Sequence, residues 1–216
     1  MVTQQPVSGR TPKMTIKRSE WAVLAVTLAY IAGFGTLFLS TGNSEFLWYI
    51  VTLLILVTLV GAGQRKAAFP TAILWALSLW GLVHMAGGGV PVGDSVLYAH
   101  VVVPVFISGD IMLLRYDQIV HFYGFGVTAW LLWYLLRKHF PVMDQTRSIY
   151  VFAALGSMGL GAVNEMIEFA AVVMFPQTNV GGYVNTALDL VFNAVGAVFA
   201  MIVLAVSAPK SSATST

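Results

Sequence analysis

Acidic and imidazole side chains recur at helical spacing inside otherwise apolar stretches of this 216-residue chain. Asp117 and His121 are four residues apart, and Glu165 and Glu168 are three residues apart, so each pair lies on one face of a helix. Two carboxylates close together in a low dielectric repel each other unless one is protonated or a cation lies between them. The spacing of Glu165 and Glu168 therefore favours a functional role over a structural one.

A polar stripe follows nearer the C-terminus, where Asn185, Asp189 and Asn193 recur every four residues, and His84 ends another apolar stretch. A ligand site and hydrogen bonds between membrane helices explain the stripe equally well. Asp117 in the first turn of a helix is also favourable without any function, because it interacts with the helix dipole. A single histidine such as His84 is often structural, so these alternatives stay open.

A metal site in this chain must use histidine, carboxylate or carbonyl ligands, because there is no cysteine. If the helix faces converge, a mixed carboxylate and imidazole set forms, and such a set suits Mn, Fe or Zn better than Mg or Ca. Asp117 is then expected to orient the imidazole of His121. The candidate catalytic residues are Asp117, His121, Glu165 and Glu168; the candidate metal ligands are His121, Glu165, Glu168 and Asp189; the other pocket residues are His84, Asn185 and Asn193.

The elements that must position these side chains are membrane-spanning helices. Hydrophobic residues make up 58% of the chain and charged residues only 9%, whereas about 25% of the residues of a soluble domain are charged. Apolar runs near the roughly 20 residues needed to cross a bilayer occur six times. The sequence therefore predicts an all-α bundle of about six transmembrane helices, with spans at 21–40, 46–63, 70–85, 119–136, 149–175 and 184–206.

The stretch 86–116, between the third and fourth spans, does not fit this pattern. Gly87 to Gly89 predict a flexible turn, and the apolar stretch 96–107 is too short to cross a bilayer, so an interfacial or re-entrant segment is expected. The remaining chain divides into a basic tail (1–20), one membrane domain (21–206) and a disordered tail (207–216).

Positive charge predicts the orientation of the bundle. Every Lys and Arg except Arg115 lies in the two tails or in the second and fourth connections, which share one side of a six-span protein. Because positive residues are retained in the cytoplasm, both termini are predicted there. The candidate site residues then all lie in the extracytoplasmic half of the membrane, in contact with the lipid bilayer. No pattern indicates nucleic-acid binding.

Four sequence elements together resemble the YjdF-like family of bacterial inner-membrane proteins and, more distantly, the VanZ-like family. They are His84 followed by glycines, Tyr116-Asp117-x3-His121-Phe122-x-x-Phe125-Gly126, Asn164-Glu165-x-x-Glu168, and Leu188-Asp189-x3-Asn193-x-x-Gly196. The resemblance implies a six-helix fold of the inner membrane that draws these polar groups together. The YjdF-like family has no assigned function, whereas the VanZ-like family is associated with low-level glycopeptide resistance.

Two departures from those families remove formal charge from the proposed site. Gln118 stands where they often have a basic residue, and Asn185 where an additional Asp is common. A missing acidic ligand weakens the metal hypothesis.

Three functions are compatible with these observations. The first is an outward-facing membrane enzyme, perhaps metal-dependent, that acts on a lipid or envelope-linked substrate. The second is a binding or transport protein whose carboxylates carry protons or cations. The third is a structural or accessory membrane protein whose polar residues hold helices together. No GxSxG, HExxH or dinucleotide-binding motif is present to name a reaction.

Overall fold

The structure, a computed structural model, is almost entirely helical. It describes residues 17–104, 107–108, 111–112, 114–175, 178 and 182–207. The predicted tails at 1–20 and 207–216 lie mostly outside these residues. The helices are α1 (Arg18–Thr41), α2 (Ser44–Ala67), α3 (Thr71–Gly89), α4 (Tyr116–His139), α5 (Ser148–Met174) and α6 (Tyr183–Ser207).

All six helices are long and apolar enough to cross a membrane, which confirms the predicted fold class. The connections between successive helices are short, at two to eight residues, except for the stretch 90–115 between α3 and α4. The prediction of a flexible turn at Gly87 to Gly89 is wrong, because these glycines form the last turn of α3. Their lack of side chains serves packing there, since a Cβ on Gly88 would lie 1.9 Å from the Phe46 ring.

The connection between α3 and α4 contains no helix long enough to cross a membrane within its described residues. Pro91–Val92 and Ser95–Val96 pair as a short antiparallel hairpin, and Ile107–Ser108 pairs with Ile111–Met112 in a second one. A single 3-10 turn, Leu97–Ala99, follows the first hairpin and packs against α3 and α4.

Helices α4, α5 and α6 pack against one another, α3 packs against α4, and α1 packs against α3. Small residues allow the closest of these approaches. A Cβ on Gly196 of α6 would lie only 2.0 Å from the carbonyl oxygen of Phe122 in α4, so the two backbones are in contact at this level. Outward-facing side chains such as Leu59, Phe169 and Phe199 remain exposed, as expected for surfaces that face lipid.

Candidate metal centre

The three mutually packed helices place their polar faces together near one end of the bundle. Asp117 and His121 lie in the first two turns of α4, Asp189 lies in the second turn of α6, and Glu168 lies six residues before the end of α5. At 1.5 Å per residue, these side chains start within about 15 Å of that end of their helices. We call it the loop end, because the connection between α3 and α4 lies there.

Four of the predicted residues form a compact cluster. One ligand atom from each of His121, Glu165, Glu168 and Asp189 lies within 4.8 Å of the others. These four side chains are buried, and Asp189 has no exposed surface at all. Three carboxylates and one imidazole therefore converge from three helices in a region of low dielectric. We call this set the acidic centre.

The imidazole of His121 lies between Asn193 and Asp117. Its Nδ1 lies 2.9 Å from Asn193 Oδ1, whereas Asp117 Oδ1 lies 3.5 Å from Nε2 on the opposite side of the ring. With Nδ1–H donating to the amide oxygen, Nε2 is left as the nitrogen able to bind a metal. Asp117 lies on the Nε2 side of the ring, where Glu168 Oε1 also lies at 3.7 Å. The role of Asp117 in orienting the imidazole stays a prediction.

Two further amides fix the carboxylates. Asn164 Nδ2 donates to Glu168 Oε1 at 2.7 Å, and Asn185 Nδ2 donates to Asp189 Oδ2 at 2.6 Å. Asn185 Nδ2 also lies 3.4 Å from Asp117 Oδ2. Asp189 Oδ1 is therefore the oxygen of that carboxylate that is available to a cation. Glu168 Oε1 lies close both to the Asn164 amide and to His121 Nε2.

Some acceptor atoms of the acidic centre have no hydrogen-bond partner within the described part of the chain. Glu165 Oε1 and Asp189 Oδ1 are buried and unpartnered, although Glu165 Oε1 lies 3.6 Å from His121 Nδ1. Leaving a buried acceptor unsatisfied costs roughly 1 to 3 kcal/mol, and more when the group is charged. Two such oxygens beside an imidazole are a set of donors to which a cation would bind.

Packing also controls the position of Asn193. A Cβ on Gly161 of α5 would lie 2.8 Å from Asn193 Nδ2 and 3.1 Å from its Cβ. Glycine at 161 therefore makes room for the amide that orients His121. A larger side chain at position 161 would displace Asn193 and so disturb its hydrogen bond to His121.

His84 does not join the acidic centre. It lies in the last turns of α3, and its Nδ1 is hydrogen-bonded to the hydroxyl of Tyr98 from the 3-10 turn. The rings of Tyr49 and Tyr98 pack edge-on against the imidazole, with centroids 5.5 and 5.6 Å away. Burial, and secondarily the charges of Asp117 and Glu168, raise the pKa of the Tyr98 hydroxyl well above its usual value, so this group is a phenol at neutral pH.

Two residues of this region were not predicted as site residues. Asn164 had a usable signal, because it lies four residues before Glu168 and such residues meet on a helix. Tyr98 had none, since it lies in a turn whose contacts with α3 depend on tertiary packing. Of the predicted residues, the structure brings Asp117, Asn185 and Asn193 against the acidic centre and places only His84 apart from it.

Comparison with known proteins places this arrangement in a family. A family model described as "Predicted membrane protein (DUF2238)" matches residues 22–210, which include all six helices. An uncharacterized protein of Thermotoga maritima is 28% identical over 104 residues, which are 48% of this chain and 54% of that protein. The matched part of the chain thus spans about half the length of this relative. No solved structure matches.

The match agrees with the YjdF-like resemblance, because DUF2238 is the YjdF family, whereas the VanZ-like resemblance gains no support from it. The family match covers most of the chain and rests on the same helices that carry the acidic centre. This chain therefore belongs to the DUF2238 family of predicted membrane proteins.

Proposed function

We propose that this chain is a metal-dependent enzyme of the bacterial inner membrane, with a divalent Mn, Fe or Zn ion held in the acidic centre. The observation that carries the proposal is the pair of buried, unpartnered oxygens, Glu165 Oε1 and Asp189 Oδ1, on two residues of a cluster whose ligand atoms, one per residue and including one imidazole nitrogen, lie within 4.8 Å of one another. The ligands are His121 through Nε2, Glu165, Glu168 and Asp189. Mixed imidazole and carboxylate sets favour these transition metals.

The donor set suits chemistry as well as binding. A bound metal would be held by Asp189 through Oδ1, because Oδ2 accepts from the Asn185 amide, and by Glu168 through one of its carboxylate oxygens. A four-ligand set of this kind leaves a coordination position for water or substrate on an ion that accepts five or six ligands. A metal there polarises a bound oxygen or lowers the pKa of bound water.

The proposal also includes the side of the membrane that the acidic centre faces and the class of its substrate. The charge distribution favours a cytoplasmic location for both termini, so the loop end faces outward. A centre buried among lipid-facing helices at that level would be reached by a lipid or a lipid-linked envelope substrate.

A second candidate is a protein that binds or transports protons or cations. It is favoured by the crowding of four carboxylates, Asp117, Glu165, Glu168 and Asp189, around one imidazole. In the absence of a metal, repulsion would keep some of these groups protonated, as in proton-coupled carriers.

Elemental analysis separates the metal-dependent enzyme from proton-linked binding. Protein purified in mild detergent without chelators is expected to carry about one Mn, Fe or Zn ion per chain, and the Glu165→Gln, Glu168→Gln double variant is expected to carry none. Glu45→Gln is the matched control, since Glu45 is equally buried but lies on α2 outside the acidic centre. Wild-type protein without metal, even after incubation with each ion, would overturn the enzyme proposal and favour proton-linked binding.

A further inference from the structure

His84 and Tyr98 form a second polar unit that the acidic centre does not use. Tyr98 is 4% exposed, and its hydroxyl is hydrogen-bonded to His84 Nδ1. A buried tyrosine from a loop and a half-buried histidine from a helix are held in one geometry by the aromatic rings of Phe46, Tyr49 and Tyr116. Apolar packing alone does not explain why these two polar side chains are fixed in this orientation.

The glycine at position 87 makes this geometry possible. A Cβ there would lie 2.5 to 2.7 Å from atoms of the Tyr98 ring, so the ring lies directly on the backbone of α3. His84 is three residues earlier and shares that helix face. The ring and the imidazole are therefore positioned by the same helix.

Tyr98 also packs against the first turn of α4, which carries Asp117. Its ring packs against Tyr116, with centroids 6.0 Å apart, and Tyr116 directly precedes Asp117, whose Oδ1 lies 3.5 Å from His121 Nε2. The charges that bear most strongly on the Tyr98 hydroxyl are those of Asp117 and Glu168. These are the two carboxylates that flank Nε2.

The charge of the acidic centre restricts what else a metal there can bind. The carboxylates of Glu165, Glu168 and Asp189 exceed the charge of a divalent ion by one, and Asp117 adds to the excess. A further anionic ligand would be repelled, whereas a neutral oxygen would not.

Resting on the proposed function, we propose that the metal accepts a neutral oxygen ligand, namely a water, hydroxyl or carbonyl group, and that the Tyr98 hydroxyl donates a hydrogen bond to that oxygen. His84 is the positioning residue. Its Nδ1–H donates to the Tyr98 oxygen, which leaves the phenolic proton free to face the ligand. Substrates of this enzyme therefore bind through an ester carbonyl or alcohol oxygen rather than through a phosphate.

The test uses Co²⁺ as a spectroscopic metal in the full-length protein, with dimethyl sulfoxide as the neutral oxygen ligand and azide and inorganic phosphate as anions. Dimethyl sulfoxide is expected to change the Co²⁺ absorption at lower concentration than either anion. Tyr98→Phe is expected to keep the Co²⁺ stoichiometry and to weaken dimethyl sulfoxide binding about fivefold to tenfold, as for one lost hydrogen bond. Tyr116→Phe is the matched control, because the Tyr116 hydroxyl already donates to Val83 O at 3.0 Å.

Two His84 variants test its positioning role. His84→Leu should weaken dimethyl sulfoxide binding about as much as Tyr98→Phe, with no further loss in the double variant. His84→Gln, whose amide N–H can replace the Nδ1 donor, should recover most of the affinity. Tight anion binding, or unchanged affinity in Tyr98→Phe, would overturn this inference while leaving the metal proposal intact. Failure of the wild-type protein to take up any Co²⁺ would overturn both.

Discussion

Asn193 Oδ1 lies 2.9 Å from His121 Nδ1, and this contact joins α6 to α4 in the centre of the polar cluster. The amide determines which imidazole nitrogen carries the proton and therefore which nitrogen can bind a metal. Partners of this kind typically contribute a factor of 10 to 100 to metal affinity.

Removing that partner should weaken metal binding without unfolding the protein. We expect Asn193→Ala to lower Zn²⁺ affinity about 10- to 100-fold, as measured by competition with a chromophoric chelator. Ser157→Ala is the control, because Ser157 is also fully buried and donates to Phe125 O away from the acidic centre. Equal affinities in the two variants would contradict the assignment of Asn193 as the residue that orients His121.

Metal removal should expose the repulsion between the carboxylates. Addition of metal at 100 times its Kd is expected to stabilise the wild-type protein by about 2.7 kcal/mol, seen as a higher Tm in detergent. The Glu165→Gln, Glu168→Gln variant should gain nothing from metal and should be more stable than the metal-free wild type, because two repelling charges are gone. A variant less stable than the metal-free wild type would mean that these carboxylates serve mainly as structural hydrogen-bond acceptors.

Replacement by alanine should have opposite effects on stability at Gly196 and at Gly159. Gly196→Ala places a methyl group against the Phe122 carbonyl and should cost about 1 to 3 kcal/mol together with the loss of bound metal. Gly159→Ala meets no atom within 4 Å and should be neutral or stabilising by up to about 1 kcal/mol through helix propensity. Thermal unfolding and metal content of the two purified variants make the comparison. Similar stability in both would argue against the close approach of α4 and α6.

The orientation can be tested by thiol labelling, which is simple because the chain contains no cysteine. Tyr183→Cys, at the loop end, replaces a side chain that is 89% exposed, and Val142→Cys, in the connection between α4 and α5, replaces one that is 83% exposed. A membrane-impermeant maleimide should label the first in intact spheroplasts and the second only after permeabilisation. The reverse pattern would place the acidic centre on the cytoplasmic side.

The sequence was sufficient for the helices and for most of the cluster, because both follow from periodicity. Length and apolar composition predict six spans, and residues three or four apart must share a helix face. Asp189 and Glu168 could thus be placed at one level of the bundle from their positions along the helices.

What could not be predicted depends on contacts between distant segments. The contact of Asn193 with His121 Nδ1 requires a particular rotation of α6 against α4, whose backbones come close at Gly196. The separation of His84 from the centre depends on Tyr98, which reaches α3 from a three-residue turn. Neither has a local sequence signal.

The location of the acidic centre on α4, α5 and α6 also constrains how the protein is made. These helices reach the membrane in the order α4, α5, α6, so Asp117 and His121 enter the bilayer before Glu165, Glu168 and Asp189. Each ionisable group carries an insertion cost until its partners arrive. Binding of the proposed ion would therefore follow membrane entry of α6, and a nascent chain truncated before α6 would be a preferred target for membrane quality control.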